Sequence, residues 1–137
     1  MPFVTRLKVR FYELDPYNHV NHAAYIQYFE SARVELLEAA GVSLPSLKEQ
    51  GFHLVVTELH ISYRHSAGPH DELEVHTEIA QLRRASSRWR QRMYRNGELI
   101  ASQEISAATT AVDGKPVRFP AELAVALAPY VVGDGPH

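Results

Sequence analysis

An α+β domain, with an antiparallel sheet covered by one long helix, is the fold class that the sequence predicts. Three observations carry the expectation. A stretch near the N-terminus, residues 22–40, spaces its apolar residues at three and four positions, as one helix face requires. After Gly51 the apolar period drops to two and holds to about residue 112. The breaks in that half are short, whereas parallel strands need crossover connections of a dozen or more residues.

The elements follow in order. Residues 3–12 alternate, with Phe3, Thr5, Leu7, Val9 and Phe11 on one side and Val4, Arg6, Lys8, Arg10 and Tyr12 on the other, which is a half-buried strand. Pro16 and Asn18 break that pattern. Asn21 is placed to cap a helix running from His22 to Ala40, with Gly41 as its stop. Its apolar stripe is Tyr25, Ile26, Phe29, Ala32, Leu36 and Ala40, and Gln27, Glu30, Ser31, Glu35 and Glu38 supply the wet side. A short helical turn is expected over 44–50. Four strands then follow. Residues 52–63 carry Val55, Thr57, Leu59, Ile61 and Tyr63 on one face, and 71–82 carry Leu73, Val75, Thr77 and Ile79. Residues 86–95 place Trp89 and Met93 opposite Arg88, Arg90 and Arg92, and 98–112 form the last strand. Asn96-Gly97 joins the last two as a hairpin turn, because both positions tolerate positive φ. Asp113-Gly114 ends the sheet, 120–128 form a short helix, and a loose tail is expected from about residue 130. The whole of 1–137 reads as a single domain. One helix cannot shield every edge of five strands, so pairing with a second copy is expected.

Composition removes several classes of function. The chain has 137 residues, 45% of them hydrophobic and 22% charged, without a long apolar run, so a soluble, cytoplasmic protein that neither spans nor binds a membrane is expected. Cysteine is absent, which excludes disulfides, thiolate metal sites and a cysteine nucleophile. A net charge of −2 supplies no field to attract nucleic acid. There is no G-x-S-x-G elbow, phosphate-binding glycine loop, dinucleotide fingerprint or H-E-x-x-H metal helix.

What is left is chemistry by carboxylate, histidine and backbone. Asp15 stands between a strand and a helix N-terminus, where free N–H groups and the helix dipole form a positive pole. A carboxylate there can act as general base on water or attack a carbonyl itself. A helix N–H can stabilise the tetrahedral oxygen by roughly 3–4 kcal/mol per well-placed donor, so the combination suits ester or thioester hydrolysis. The plainer alternative is that Asp15 and Asn21 only build a turn and a cap, as Asp-Pro and Asn often do. His19 and His22 lack the third ligand that a metal ion requires.

The run KVRFYELDPYNHVNHAAYIQYFESARVELLEAAG resembles the hot-dog-fold acyl-CoA thioesterases of the 4-hydroxybenzoyl-CoA thioesterase type. Its D-x-x-x-H-V-N-x-x-x-Y core also resembles the plant acyl-carrier-protein thioesterases. The likeness extends more loosely through the strand end at Tyr63, the GPHDELEV segment and the terminal VDGKPVRFP. The resemblance implies a hot-dog fold, an antiparallel sheet wrapped around a central helix, in homodimers or homotetramers with active sites at the dimer interface. It implies acyl-CoA as substrate and no cofactor. On the matching positions, Asp15 is the catalytic carboxylate, the His22 backbone N–H polarises the thioester carbonyl, Tyr25 lines the acyl pocket, and His19 matches the histidine of the plant branch. Leu14 stands where threonine or cysteine is common, and Tyr17 replaces the asparagine beside the plant acid, which favours a mechanism with one carboxylate. His19 is left either catalytic or a shaper of the turn.

Six of the fourteen basic residues fall between Arg83 and Arg95. Arg88, Arg90 and Arg92 alternate outward and read as a solvated sheet face. Arg83 and Arg84, followed by Ser86 and Ser87, lie at a connection, and the resemblance places CoA phosphates near it. Glu58 and His60 face away from Leu59 and Ile61, toward solvent or a second subunit. Tyr25, Tyr28 and Phe29 serve either an aryl pocket or the helix core. Two other functions fit such a fold: a non-catalytic acyl-CoA-binding regulator, for which the chain offers no DNA-binding helix pair, and an enoyl-thioester hydratase, whose paired Asp/His helix motif is not visible.

Overall fold

The computed structural model describes residues 2–132. Strand β1 (Phe3–Lys8) leads through a 3-10 turn (Phe11–Glu13) to helix α1 (His22–Ala39) and the short helix α2 (Leu44–Glu49). Strands β2 (His53–Tyr63), β3 (Glu72–Leu82), β4 (Ser86–Arg95) and β5 (Glu98–Thr110) follow, then helix α3 (Ala121–Leu127) and a 3-10 turn (Ala128–Tyr130). One five-stranded sheet results, in the order β1-β3-β4-β5-β2, with every pair antiparallel. No helix among the described residues is long and apolar enough to cross a membrane.

Helix α1 starts where its cap dictates. The Asn21 side chain accepts from the Ala23 N–H at 2.9 Å, and Gly41, at φ +81°, lets the chain turn away after the last turn. The helix lays Ala24, Tyr25, Tyr28, Phe29, Ala32, Arg33, Leu36 and Leu37 on the sheet. The buried stripe therefore differs from the expected one, because Ile26 and Ala40 are only half-buried whereas Arg33 is interior.

That arginine belongs to a polar seam. On β3, Thr77 lies between Val75 and Ile79; on β4, Gln91 between Met93 and Trp89; on β5, Gln103 between Ala101 and Ile105. Thr77, Gln91 and Gln103 are direct cross-strand partners. Gln91 Oε1 accepts from Arg33 at 3.0 Å, and its amide nitrogen donates to the Phe29 carbonyl at 2.8 Å and to Thr77 Oγ1 at 3.0 Å. The seam splits the core in two. Tyr25, Tyr28, Phe29, Val75 and Met93 belong to the cluster at the start of the helix, and Leu36, Leu37, Ile79, Trp89 and Ile105 to the cluster at its end.

Several expectations are corrected. Strand β1 stops at Lys8, and Phe11 is 85% exposed in a 3-10 turn closed by Glu13, whose Oε1 accepts the Arg10 N–H at 2.7 Å. A bulge between Val56 and Glu58 shifts the register of β2. Leu59, Ile61 and Tyr63 pair with the core-facing positions Ile105, Gln103 and Ala101, but Val55 pairs with Ala108 on the other face, while Leu54 and Val56 pair with the buried Thr109 and Ala107, Val56 itself staying 44% exposed at the sheet edge. Strand β5 ends at Thr110, and helix α1 at Ala39. Arg90 is not solvated: at 9% exposure it lies between Glu78 and Glu104, each 3.3 Å away, because neighbouring strands place acids opposite it. At the C-terminus Val131 bridges to Ile79 and the Val132 N–H donates to the Ile79 carbonyl, so the chain is docked to residue 132; the rest of the expected loose tail lies outside the described residues.

Candidate active site

The segment before α1 folds as a tight turn because its own polar groups satisfy it. Asp15 Oδ1 accepts the N–H groups of Tyr17 at 2.8 Å and His19 at 3.1 Å, while the Asp15 N–H donates to the His19 carbonyl at 2.7 Å. Asn18 takes the left-handed conformation at φ 64°, which asparagine tolerates, and Leu14 and Val20 bridge the turn's two ends. Asp15 thus performs the plain turn-forming role with one oxygen. No partner is recorded for Oδ2 among the described residues.

The helix start is likewise half used. The Asn21 side chain takes the Ala23 N–H, and the Ala24 N–H takes the Asn21 carbonyl, whereas the His22 N–H has no partner among the described residues. In the next peptide, the Tyr63 hydroxyl donates to the His22 carbonyl at 2.8 Å, tying the end of β2 to the first turn of α1. A free N–H at the positive end of a helix is a donor suited to a developing oxyanion.

These groups share a cavity of about 340 Å³ lined by Asp15, His19, Val20, His22, Tyr25, Tyr63, Arg64, His65 and Ser66. Tyr25 packs edge-on against Tyr63, with ring centroids 5.2 Å apart, and its hydroxyl accepts the Ala67 N–H at 2.8 Å. Burial pushes the Tyr25 and Tyr63 hydroxyls above the ordinary tyrosine range. Burial also raises Tyr28, aided by its 2.8 Å hydrogen bond to the Glu13 carboxylate. The His19 backbone holds the turn, and the residue also lines the cavity. No three His, Asp or Glu side chains converge as metal ligands among the described residues.

The structure brings Asp15, His19, His22 and Tyr25 together, but places the basic connection elsewhere. Arg83 and Ser86 line a separate groove of about 250 Å³ with Thr57, Gln81, Ser87, Arg88 and Ser106. Thr57 and Tyr63, which mark the two sites on β2, are six residues and about 20 Å apart along the strand. Arg84 does not line this groove, and its carbonyl accepts the Phe119 N–H at 2.7 Å. A larger groove, about 780 Å³, lies by β1, β3 and β4, but its acid Glu74 is already paired with His76 at 2.7 Å and Arg6 at 3.5 Å. Reading of the sequence missed Tyr63, Arg64, His65 and Ser66 as site residues. They lie 48 to 51 residues from Asp15 in sequence and reach the cavity through tertiary contacts such as that of Tyr63 with His22, for which no local pattern exists.

With this geometry in hand, comparison with known proteins is specific. The sequence model of the thioesterase-like superfamily matches residues 9–127. An acyl-CoA thioesterase, YbgC of Haemophilus influenzae, is 32% identical over 122 residues, which span 88% of this chain and 90% of the relative. Among solved structures, a hypothetical protein from Thermus thermophilus is 33% identical with a TM-score of 0.86, covering 93% of this chain and 98% of its own. One from Aquifex aeolicus has a TM-score of 0.89 at 28% identity, over 92% and 99% of the two chains.

Proposed function

The chain belongs to the thioesterase-like superfamily, and from that premise we propose that it hydrolyses acyl-CoA thioesters to the free acid and CoA through a carboxylate and a helix N-terminus. The observation that carries this reading is the pairing of Asp15 Oδ2 and the His22 N–H, both without partners among the described residues, in one cavity. The Asp15 carboxylate takes a proton from water, whose oxygen attacks the thioester carbon, or attacks that carbon itself, in which case the acyl-aspartyl anhydride left after CoA departs is hydrolysed by water to the free acid and the restored carboxylate. The carbonyl oxygen becomes an oxyanion held by the His22 N–H. Collapse expels the CoA thiolate, which is protonated on release. Thiol release from a panel of aryl, short-chain and long-chain acyl-CoAs tests the proposal. Release from at least one is expected, and release from none would overturn it in favour of a binding protein.

Exposure along β2 supports pairing with a second copy. Val55, Val56, Leu59 and Tyr63 are each more than 40% exposed on an edge strand that pairs only with β5. Such an edge is a template for another strand. Wild-type protein is expected to sediment as a dimer or tetramer at micromolar concentration, and Val56→Lys to shift it toward monomer with loss of activity. A wild-type monomer would exclude the pairing.

Arg83, with Ser86, remains suited to the phosphate end of CoA, and the 20 Å spacing fits a ligand whose thioester and phosphates are far apart. Arg83→Ala is expected to raise KM several-fold with kcat nearly unchanged, the pattern of lost uniform binding. Arg84→Ala should leave both within about twofold, because Arg84 does not line the groove. Equal effects of the two substitutions would contradict this assignment.

A further inference from the structure

We propose that Asp71 and Arg95 are positioning residues that act through Ala67 on Tyr25, holding the Tyr25 hydroxyl as a hydrogen-bond donor to the substrate. The proposal rests on the thioester-hydrolysis reading above. The connection between β2 and β3, residues 64–71, has no regular structure, and its first residues, Arg64, His65 and Ser66, line the cavity. Their placement depends on individual bonds. The Arg64 and His65 N–H groups both donate to the Ile100 carbonyl, at 2.8 and 3.2 Å, and the Val20 N–H donates to the Ala67 carbonyl at 2.9 Å. Arg95 Nη1 donates to the Ser66 carbonyl at 2.6 Å and to Asp71 Oδ2 at 3.2 Å. The same Asp71 oxygen accepts the Gly68 N–H at 2.8 Å. This ion pair therefore grips the backbone on both sides of Ala67, which is fully buried.

The N–H of Ala67 donates to Tyr25. A hydroxyl that accepts a hydrogen bond still carries its own hydrogen, and accepting one strengthens its capacity to donate. The three tyrosines around the start of α1 differ in this respect. Tyr63 donates to the His22 carbonyl and Tyr28 to Glu13, whereas the Tyr25 hydrogen has no acceptor among the described residues. Tyr25 also lines the cavity that holds Asp15, so a carbonyl or leaving group bound there is the acceptor this hydroxyl can reach. The charges of Arg95 and Asp71 both act on the Tyr25 hydroxyl, in opposite directions, as closeness requires.

The test is a double-mutant cycle in the full chain, read by turnover and by binding. Tyr25→Phe keeps the ring and deletes the donor, so kcat should fall about 10- to 100-fold with KM within about twofold. Arg95→Met and Asp71→Asn should each lower kcat less than Tyr25→Phe does, and neither should lower it further once Tyr25 is Phe. The control Arg6→Met, which breaks a pair with Glu74 outside the site, should leave kcat unchanged. Binding of a dethia acyl-CoA, the ketone with methylene in place of the thioester sulfur, should like KM stay within about twofold in every variant, which places the loss in turnover and not in ground-state affinity. A wild-type kcat in Tyr25→Phe, or losses at Arg95 and Asp71 that persist in full in the Tyr25→Phe background, would overturn the proposal. Thiol release from no acyl-CoA by the wild-type protein, with the ketone still bound, would refute the hydrolysis reading instead. If wild-type protein neither turns over acyl-CoA nor binds the ketone, both are wrong.

Discussion

Asp15→Asn should lower the rate of acyl-CoA hydrolysis about 10²- to 10⁴-fold, the range attributable to a positioned acid or base, while leaving the fold intact. The substitution separates the two functions of this residue. An asparagine side-chain oxygen can still accept the Tyr17 and His19 N–H groups that Oδ1 now takes, so the turn before α1 keeps its shape. What it removes is the negative charge and basicity available at Oδ2. Asp15→Ala, by contrast, loses the turn bonds as well and confounds chemistry with structure. Thiol release measured beside a thermal melt decides the matter: an unchanged melting temperature with activity reduced at least a hundredfold is expected. Full activity in Asp15→Asn would return Asp15 to its turn-forming role alone.

Gln91→Leu should destabilise the protein by about 1.5–3 kcal/mol, the worth of a hydrogen bond to a buried charged group. Leucine matches the apolar neighbours Trp89 and Met93, so a view of the core as purely hydrophobic would expect gain or neutrality. Arg33 overrules that view. Arg33 is 9% exposed, burial pushes its pKa below the ordinary arginine value, and its guanidinium donates to Gln91. The Phe29 carbonyl and Thr77 hydroxyl would lose their amide partner as well. Adding Arg33→Met removes the stranded charge, and the double variant should recover the greater part of the loss. Urea unfolding of both single variants and the double variant tests this. A loss under about 1 kcal/mol for Gln91→Leu, or additive losses in the double variant, would show that the seam is not electrostatically coupled.

The parts of the fold legible in the sequence are those specified by neighbouring residues. Asn21 caps α1 through a side chain two residues from the N–H it binds, and Asn96 and Gly97 take φ of 50° and 80° in the hairpin expected of them. The alternation of β3 survives because its pairing is regular with β1 from Glu72 to Thr77 and with β4 from Glu74 to Ile79. What escaped detection depends on residues far apart in the chain. The bulge at β2 is a disagreement in register with β5, invisible within 52–63 alone, and it reversed the facing of Val55. Arg33 and Arg90 carry the sequence signature of surface arginines, and only their cross-sheet partners explain their burial. At the site, the Asp15 turn and the His22 N–H were readable from one contiguous run. The opposite wall was not, since Tyr63 and residues 64–66 meet it through tertiary bonds.

The polar seam across the core has a consequence for how this protein can change. Because Arg33, Thr77, Gln91 and Gln103 separate the cluster beneath the cavity from the cluster beside α3, a side chain exchanged in one has no direct neighbour in the other. Substitutions on opposite sides should combine with little interaction. The half with Tyr28, Phe29 and Met93 can thus be altered while Leu36, Trp89 and Leu127 keep the other half folded. The seam turns one small core into two independently adjustable modules.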